Sequence, residues 1–161
     1  MPPIVELSLE QLREVLDRAR ELGAREDGLA VVATSRDDGS APASVVNAGV
    51  LPDPVTGEPV VGFVIRGGAR KLANLRVRPR VTVVFRSGWE WMAVEGDADL
   101  AGPDDPLEGV EPDRVLRLLR EVYAAAVGGT ADDWAGMDAE MQAERHTAAL
   151  VRPTRIYANP E

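Results

Sequence analysis

Apolar positions along this chain change period several times, and each change marks an element. Leu9, Leu12, Leu16, Ala19 and Leu22 recur at helical spacing, which predicts an amphipathic helix. Ser8 followed by Gln11 fits a capping box at its start, and Gly23 predicts its stop. The pattern then shortens. LAVVATS from Leu29 and ASVVNAGV from Ala43 are β-branched runs joined across Asp38-Gly39, a hairpin signal. After the loop LPDPVTGEP, VVGFVI from Val60 reads as a third strand. Gly67 and Gly68 end it, and ARKLANLRV predicts a short helix stopped by Pro79. RVTVVFR from Arg80 alternates cleanly, Gly88 marks a turn, and WEWMAVE from Trp89 alternates again up to a bulge at Gly96.

Residues 102–111 form an acidic loop, expected to be a solvated connector. Pro112 suits a helix start, and Val115, Leu119, Val122 and Ala126 give that helix one apolar stripe ending at Gly128-Gly129. Thr130 with Asp133 predicts the cap of a further helix carrying Trp134, Met137 and Met141. TAALVRPTRIYA predicts a closing strand pair interrupted at Pro153. About six strands with helices at both ends and between strands favour an α+β domain built on a small antiparallel barrel. The 161 residues contain no repeat, low-complexity segment or linker, so one domain over 1–161 is expected.

Composition narrows the chemistry. There are no cysteines and one histidine, His146, which removes thiolate and His-rich metal sites and a cysteine nucleophile. The net charge of −9 argues against general nucleic-acid binding. MPPIVELSLEQ lacks a charged segment followed by an apolar run, and no apolar run reaches membrane-spanning length, so the cytoplasm is the expected compartment.

Against this acidity stands one basic segment, RGGARKLANLRVRPR. Arg66, Arg70, Lys71, Arg76, Arg78 and Arg80 lie within it without an acid, and Lys71 is the only lysine in the chain. A glycine turn leading into a helix start offers free N–H groups and a favourable dipole to an anion. Arg adds planar bidentate contacts and Lys a compact charge, so a phosphate is the leading candidate ligand. Arg78 and Arg80 are expected to be solvated or paired with acids.

In order, Arg70-Lys71, Asn74-Leu75, Pro79-Arg80-Val81, Trp91, Val94-Glu95-Gly96 and the ending RPTRIYANP resemble the split β-barrel oxidoreductases. These are the pyridoxamine 5'-phosphate oxidase-like, FMN-binding split barrels and their coenzyme F420-dependent relatives, and the resemblance is nearest to the latter. Here Arg-Val-Arg-Pro stands where Arg-Arg-Asp-Pro is more usual, which makes the patch more basic.

The resemblance implies a six-stranded antiparallel split barrel with peripheral helices, forming a homodimer with two cofactor sites at its interface. It implies that Arg66, Gly68, Arg70, Lys71 and Asn74 hold the cofactor phosphate. It also implies that the strand bearing Ser44 and Asn47 lines the ring, and that Trp91 flanks the ring or reaches it from the partner. The activity implied is hydride transfer between F420 and a small conjugated substrate, with no catalytic side chain required. FMN-dependent chemistry on the same fold, or a cofactor- or tetrapyrrole-binding protein without turnover, are the alternatives. Asn47 suits either a ring edge or a neighbouring backbone, and Trp89 and Trp91 suit packing at an interface. His146, at a helix end, suits a structural role.

Overall fold

The structure is a computed structural model that describes residues 6–128 and 134–159. Helix α1 (Leu9–Arg25) opens with the predicted capping box: the Ser8 hydroxyl accepts from the Gln11 amide, and the Gln11 side chain accepts from the Ser8 N–H. Gly23 does not stop it. Gly23 is buried within the helix, where an added Cβ would stand 3.6 Å from the Phe85 ring, and the chain turns only at Asp27 and Gly28, both with positive φ.

Six strands follow: β1 (Leu29–Ala33), β2 (Ala43–Pro52), β3 (Pro59–Ile65), β4 (Arg80–Ser87), β5 (Glu90–Ala101) and β6 (Thr147–Ala158). They close into an antiparallel barrel in the order β1-β2-β3-β6-β5-β4, with β4 returning to β1. Helix α2 (Arg70–Val77) joins β3 to β4, while α3 (Val115–Val127) and α4 (Trp134–Ala143) lie between β5 and β6. The predicted cap at Thr130 and Asp133 lies outside the described residues.

Two apolar clusters hold the fold. Leu16, Ala19 and Leu22 of α1 and Leu72 and Leu75 of α2 close on Phe63, Val83, Phe85 and Met92 from the strands. Leu118, Leu119 and Val122 of α3 cover Leu51, Val60 and Leu150 on the other side. β3 therefore has a covered face on both sides, which explains why it reads as an unbroken apolar run. Gly49 permits the close approach of α3, since a Cβ there would sit 2.3 Å from the Ala125 backbone.

The closing element is one long strand, not the expected pair. β6 pairs with β3 only from Thr147 to Val151, then continues along β5 alone. Pro153 falls beyond the β3 pairing, opposite Gly96, where the register shifts. A proline without an N–H is tolerated at such an irregularity. The bulge predicted at Gly96 is present, and a Cβ there would lie 2.1 Å from the Arg152 carbonyl oxygen.

Candidate anion-binding cleft

α2 and the β1–β2 hairpin face each other across an open cavity of about 610 Å³. The helix contributes Arg70, Lys71, Ala73 and Asn74, with Arg78 just past its end. The hairpin contributes Val32, Thr34, Arg36, Asp37, Asp38, Pro42, Ala43 and Ser44. Leu72 and Leu75 anchor α2 to the core, so alternate residues of the same short helix turn outward. Its N-cap is Ala69, which has no side-chain acceptor, and its first turn holds no acid. The helix start is therefore left open to an anion.

The two walls are tied together. Asn74 donates from Nδ2 to the buried Thr34 hydroxyl at 3.2 Å. Arg78 donates from Nε to the Ser35 carbonyl at 3.1 Å and pairs with Asp37. Asp38 accepts from the Ser40 backbone at 2.9 Å and from its hydroxyl at 2.6 Å, which folds the hairpin tip and lowers the Asp38 pKa.

Charge divides unevenly along the basic segment. Arg76 makes a bidentate pair with Asp105 at 2.8 and 2.7 Å, and Arg80 meets Asp97 at 3.4 Å. Arg78 is held by Asp37. Among the described residues, no carboxylate lies within ion-pair distance of Arg66, Arg70 or Lys71. Lys71 is half-buried, and its pKa is lowered first by that burial and then by the positive charge of Arg66. A lysine in that state gains from a neighbouring anion, which stabilises its charged form.

Of the sequence-derived set, Ser44, Arg70, Lys71 and Asn74 line this cavity. Arg66 stands close enough to act on Lys71 but is not part of the lining. Gly68 is outside the lining, and a Cβ there would meet open space, whereas at Gly67 it would lie 2.9 Å from the Arg145 carbonyl oxygen. Gly67 is the sterically required member of that pair. Asn47 donates to the Asp27 carbonyl at 3.0 Å, the backbone role of its two alternatives.

Trp91 lies elsewhere, edge-on to Tyr157 with ring centroids 6.0 Å apart. It lines a separate shallow surface with Val84, Arg86, Gly88 and Trp89. Around it the outer wall of the barrel is apolar and open: Val31, opposite both Val45 and Val84, is 41% exposed, Val45 62% and Trp89 94%. Tyr157 donates to Glu95 at 3.4 Å, and burial with the Glu95 charge raises its pKa.

Thr34, Arg36, Asp37, Asp38 and Arg78 were not singled out by the sequence as cleft residues. The Asp38-Gly39 turn was legible, but not that the hairpin folds over α2. His146, the only histidine, lies at the end of α4 with Nε2 3.1 Å from Glu144. Among the described residues no group of three or more His, Cys, Asp or Glu could hold a metal, and no helix is long and apolar enough to cross a membrane.

No family model matches the chain, and no curated protein does. Solved structures match it by fold. An FMN-binding protein related to pyridoxamine 5'-phosphate oxidase from Nostoc punctiforme superposes with a TM-score of 0.64 at 17% identity, covering 94% of this chain and 86% of that one. A conserved hypothetical protein of Mycobacterium tuberculosis gives 0.60 at 19% identity, covering 86% and 81%. The heme storage protein HutZ of Vibrio cholerae gives 0.58 at 16%, covering 88% and 93%. The likeness is one of fold: these structures and this chain share a six-stranded antiparallel split barrel with peripheral helices.

Proposed function

We propose that the cleft between α2 and the β1–β2 hairpin holds the phosphate of a tricyclic flavin-type cofactor, coenzyme F420 in the first reading, and that the protein is a hydride-transferring oxidoreductase. The observation that carries this is the pair Arg70 and Lys71, without a carboxylate partner among the described residues, at an uncapped helix start, with Arg36, which bonds Ser40 and acts on Asp38, opposite. A phosphate there accepts charge-assisted bonds from Arg70 and Lys71, which have no carboxylate partner among the described residues. Asn74 holds the hairpin wall in place through Thr34. When bound, such a cofactor supplies the hydride chemistry for a small conjugated substrate. The chain's part is to grip the phosphate, orient the ring and exclude water.

A second reading, FMN, rests on one observation. The acid pairing of Arg76, Arg78 and Arg80 trims the free cations to a number that a single phosphate can satisfy, without the longer anionic tail of F420. The tetrapyrrole alternative finds no histidine in the cleft lining. Equilibrium titration of the protein against F420 and FMN in parallel decides. Tighter F420 binding that weakens as salt rises supports the first reading. Tighter FMN binding replaces F420 with FMN, and no saturable binding of either rejects the site.

We further propose a homodimer formed through the apolar outer wall. Val45 faces that wall while the adjacent Ser44 lines the cleft, so a second copy covering the wall would border the cofactor site. An open apolar surface of this kind marks an interface. Light scattering at micromolar concentration is expected to give twice the 17.3 kDa chain mass, and Val45→Asp to give the single mass. A wild-type particle of one chain mass removes the shared-site arrangement.

A further inference from the structure

A second cleft, sharing no residue with the first, lies between the acidic loop and helices α3 and α4. Its volume is about 360 Å³, within the range of small-molecule pockets. Leu116 and Met141 line it with other aliphatic side chains, and Leu107, Val115 and Leu116 remain only half-buried around it. Apolar surface is thus left in water in a concave site, where a ligand would cover it.

The wall facing the helices is held rigidly. Asp104 takes a bidentate pair from Arg145 at 2.7 and 2.5 Å, and Asp105 takes one from Arg76 and a bond from the Thr147 hydroxyl at 3.3 Å. The loop is largely exposed, as expected of a solvated connector, and these ties clamp it as a wall of the cleft. Pro103, Pro106 and Pro112 stiffen it further. Arg145 has φ 52, a left-handed conformation usually given to glycine at a helix end. An arginine there loses backbone ease and gains the tie to Asp104. The cleft is consequently kept open in advance of any ligand, which lowers the ordering needed on binding.

Charge selects the ligand. Arg145 is paired with Asp104, and His146 Nε2 with Glu144, so an ionised ligand meets no free counter-charge at the rim. The Gln142 side-chain amide at the exposed rim is neutral, and His146 Nδ1, also in the lining, is buried without a hydrogen-bond partner. We propose that this cleft binds a small, neutral, largely apolar molecule, of about the size of two fused aromatic rings and bearing one hydroxyl-type group for Gln142.

The test uses 1-naphthol and, as an ionised analogue of similar shape, 1-naphthoate. His146 lines the cleft and is the chain's only histidine, so its imidazole resonances give an unambiguous NMR readout. 1-Naphthol is expected to shift them saturably with a Kd of about 0.1–1 mM, and 1-naphthoate to bind at least tenfold more weakly. Leu116→Trp, which fills the cleft from a half-buried position, is expected to weaken 1-naphthol at least tenfold. Val115→Phe serves the same end if that variant fails to fold. Saturating FMN is expected to leave the 1-naphthol curve unchanged, which separates this cleft from the cofactor site. Equal binding of the two probes, insensitivity to both cleft-filling variants, an absence of saturation, or competition with FMN each overturns the proposal.

Discussion

The two halves of the basic segment carry equal numbers of cations and have opposite fates. Arg76, Arg78 and Arg80 each meet an aspartate brought from a distant part of the chain: Asp105, Asp37 and Asp97. Arg66, Arg70 and Lys71 meet none among the described residues. The difference does not lie in local sequence, because no acid occurs anywhere from Arg66 to Arg80. It lies in what the fold places opposite. The later half faces the acidic loop, the hairpin tip and β5, and works as structural ties. In the earlier half Arg70 and Lys71 open on the cleft, with Arg66 beside them. Charge density in sequence therefore marks a region, and long-range pairing decides which part of it remains available to a ligand.

The largest expected effect removes the available half. Replacing Arg70 and Lys71 together by alanine deletes two charge-assisted contacts of about 1.5–3 kcal/mol each. Cofactor affinity should fall by roughly 10²–10⁴-fold, measured by fluorescence titration, while the melting temperature stays close to that of the parent. An unchanged affinity would place the phosphate elsewhere.

The mirror experiment is Arg76→Ala. Asp105, whose side chain is only 10% exposed, then keeps a single hydroxyl partner, and stability is expected to drop by about 1–2 kcal/mol. Cofactor affinity should not move. Loss of affinity without loss of stability would invert the assignment of the two halves.

A smaller effect concerns pH. Lys71 has a folded pKa below its ordinary value of 10.5, so the folded protein loses this proton at lower pH than the unfolded chain does. Between the folded and unfolded pKa values the unfolded chain holds more protons, and the contribution of Lys71 to stability rises with pH. Phosphate affinity moves the other way, because the anion needs the ammonium. It should decline as pH rises through a window that begins below 10.5. Lys71→Arg should flatten that decline, and a parent titration already flat there would show that Lys71 does not meet the anion.

The smallest effect tests the border between the halves. Arg78 lines the cleft yet is held by Asp37, whose side chain is 93% exposed. Asp37→Asn is expected to release Arg78 and raise cofactor affinity by about two- to fivefold, in keeping with an exposed pair. Weaker binding in that variant would mean that Asp37 itself contacts the ligand.

Much of the barrel was legible because its strands are bounded by strong punctuation: Asp38-Gly39, Gly67-Gly68, Pro79 and Gly88. The capping box at Ser8 was readable because both of its residues are local. Long-range effects were not. Pro153 suggested a break because nothing in the sequence shows that β6 leaves β3 at Val151. Gly23 suggested a stop because the Phe85 ring it packs against is remote in sequence. In the cleft, Arg70, Lys71 and Asn74 were found through one local motif. Thr34 and Arg36 were missed because the hairpin that carries them meets α2 only through tertiary packing, whereas Arg78 is paired with an acid as expected but also lines the cleft. Trp91, expected to flank the ring or to reach it from the partner, is not in the cleft lining and lies on the open outer wall.

The most direct measurement sets FMN against riboflavin, which lacks the phosphate, in the parent, Lys71→Ala and Arg80→Ala. Lys71→Ala should weaken FMN about tenfold to a hundredfold and leave riboflavin unchanged. Arg80→Ala, which removes only a 65% exposed partner of Asp97, should alter neither. If Lys71→Ala binds FMN as tightly as the parent, or weakens riboflavin to the same degree as FMN, then the unpaired half of the basic segment is not the phosphate site.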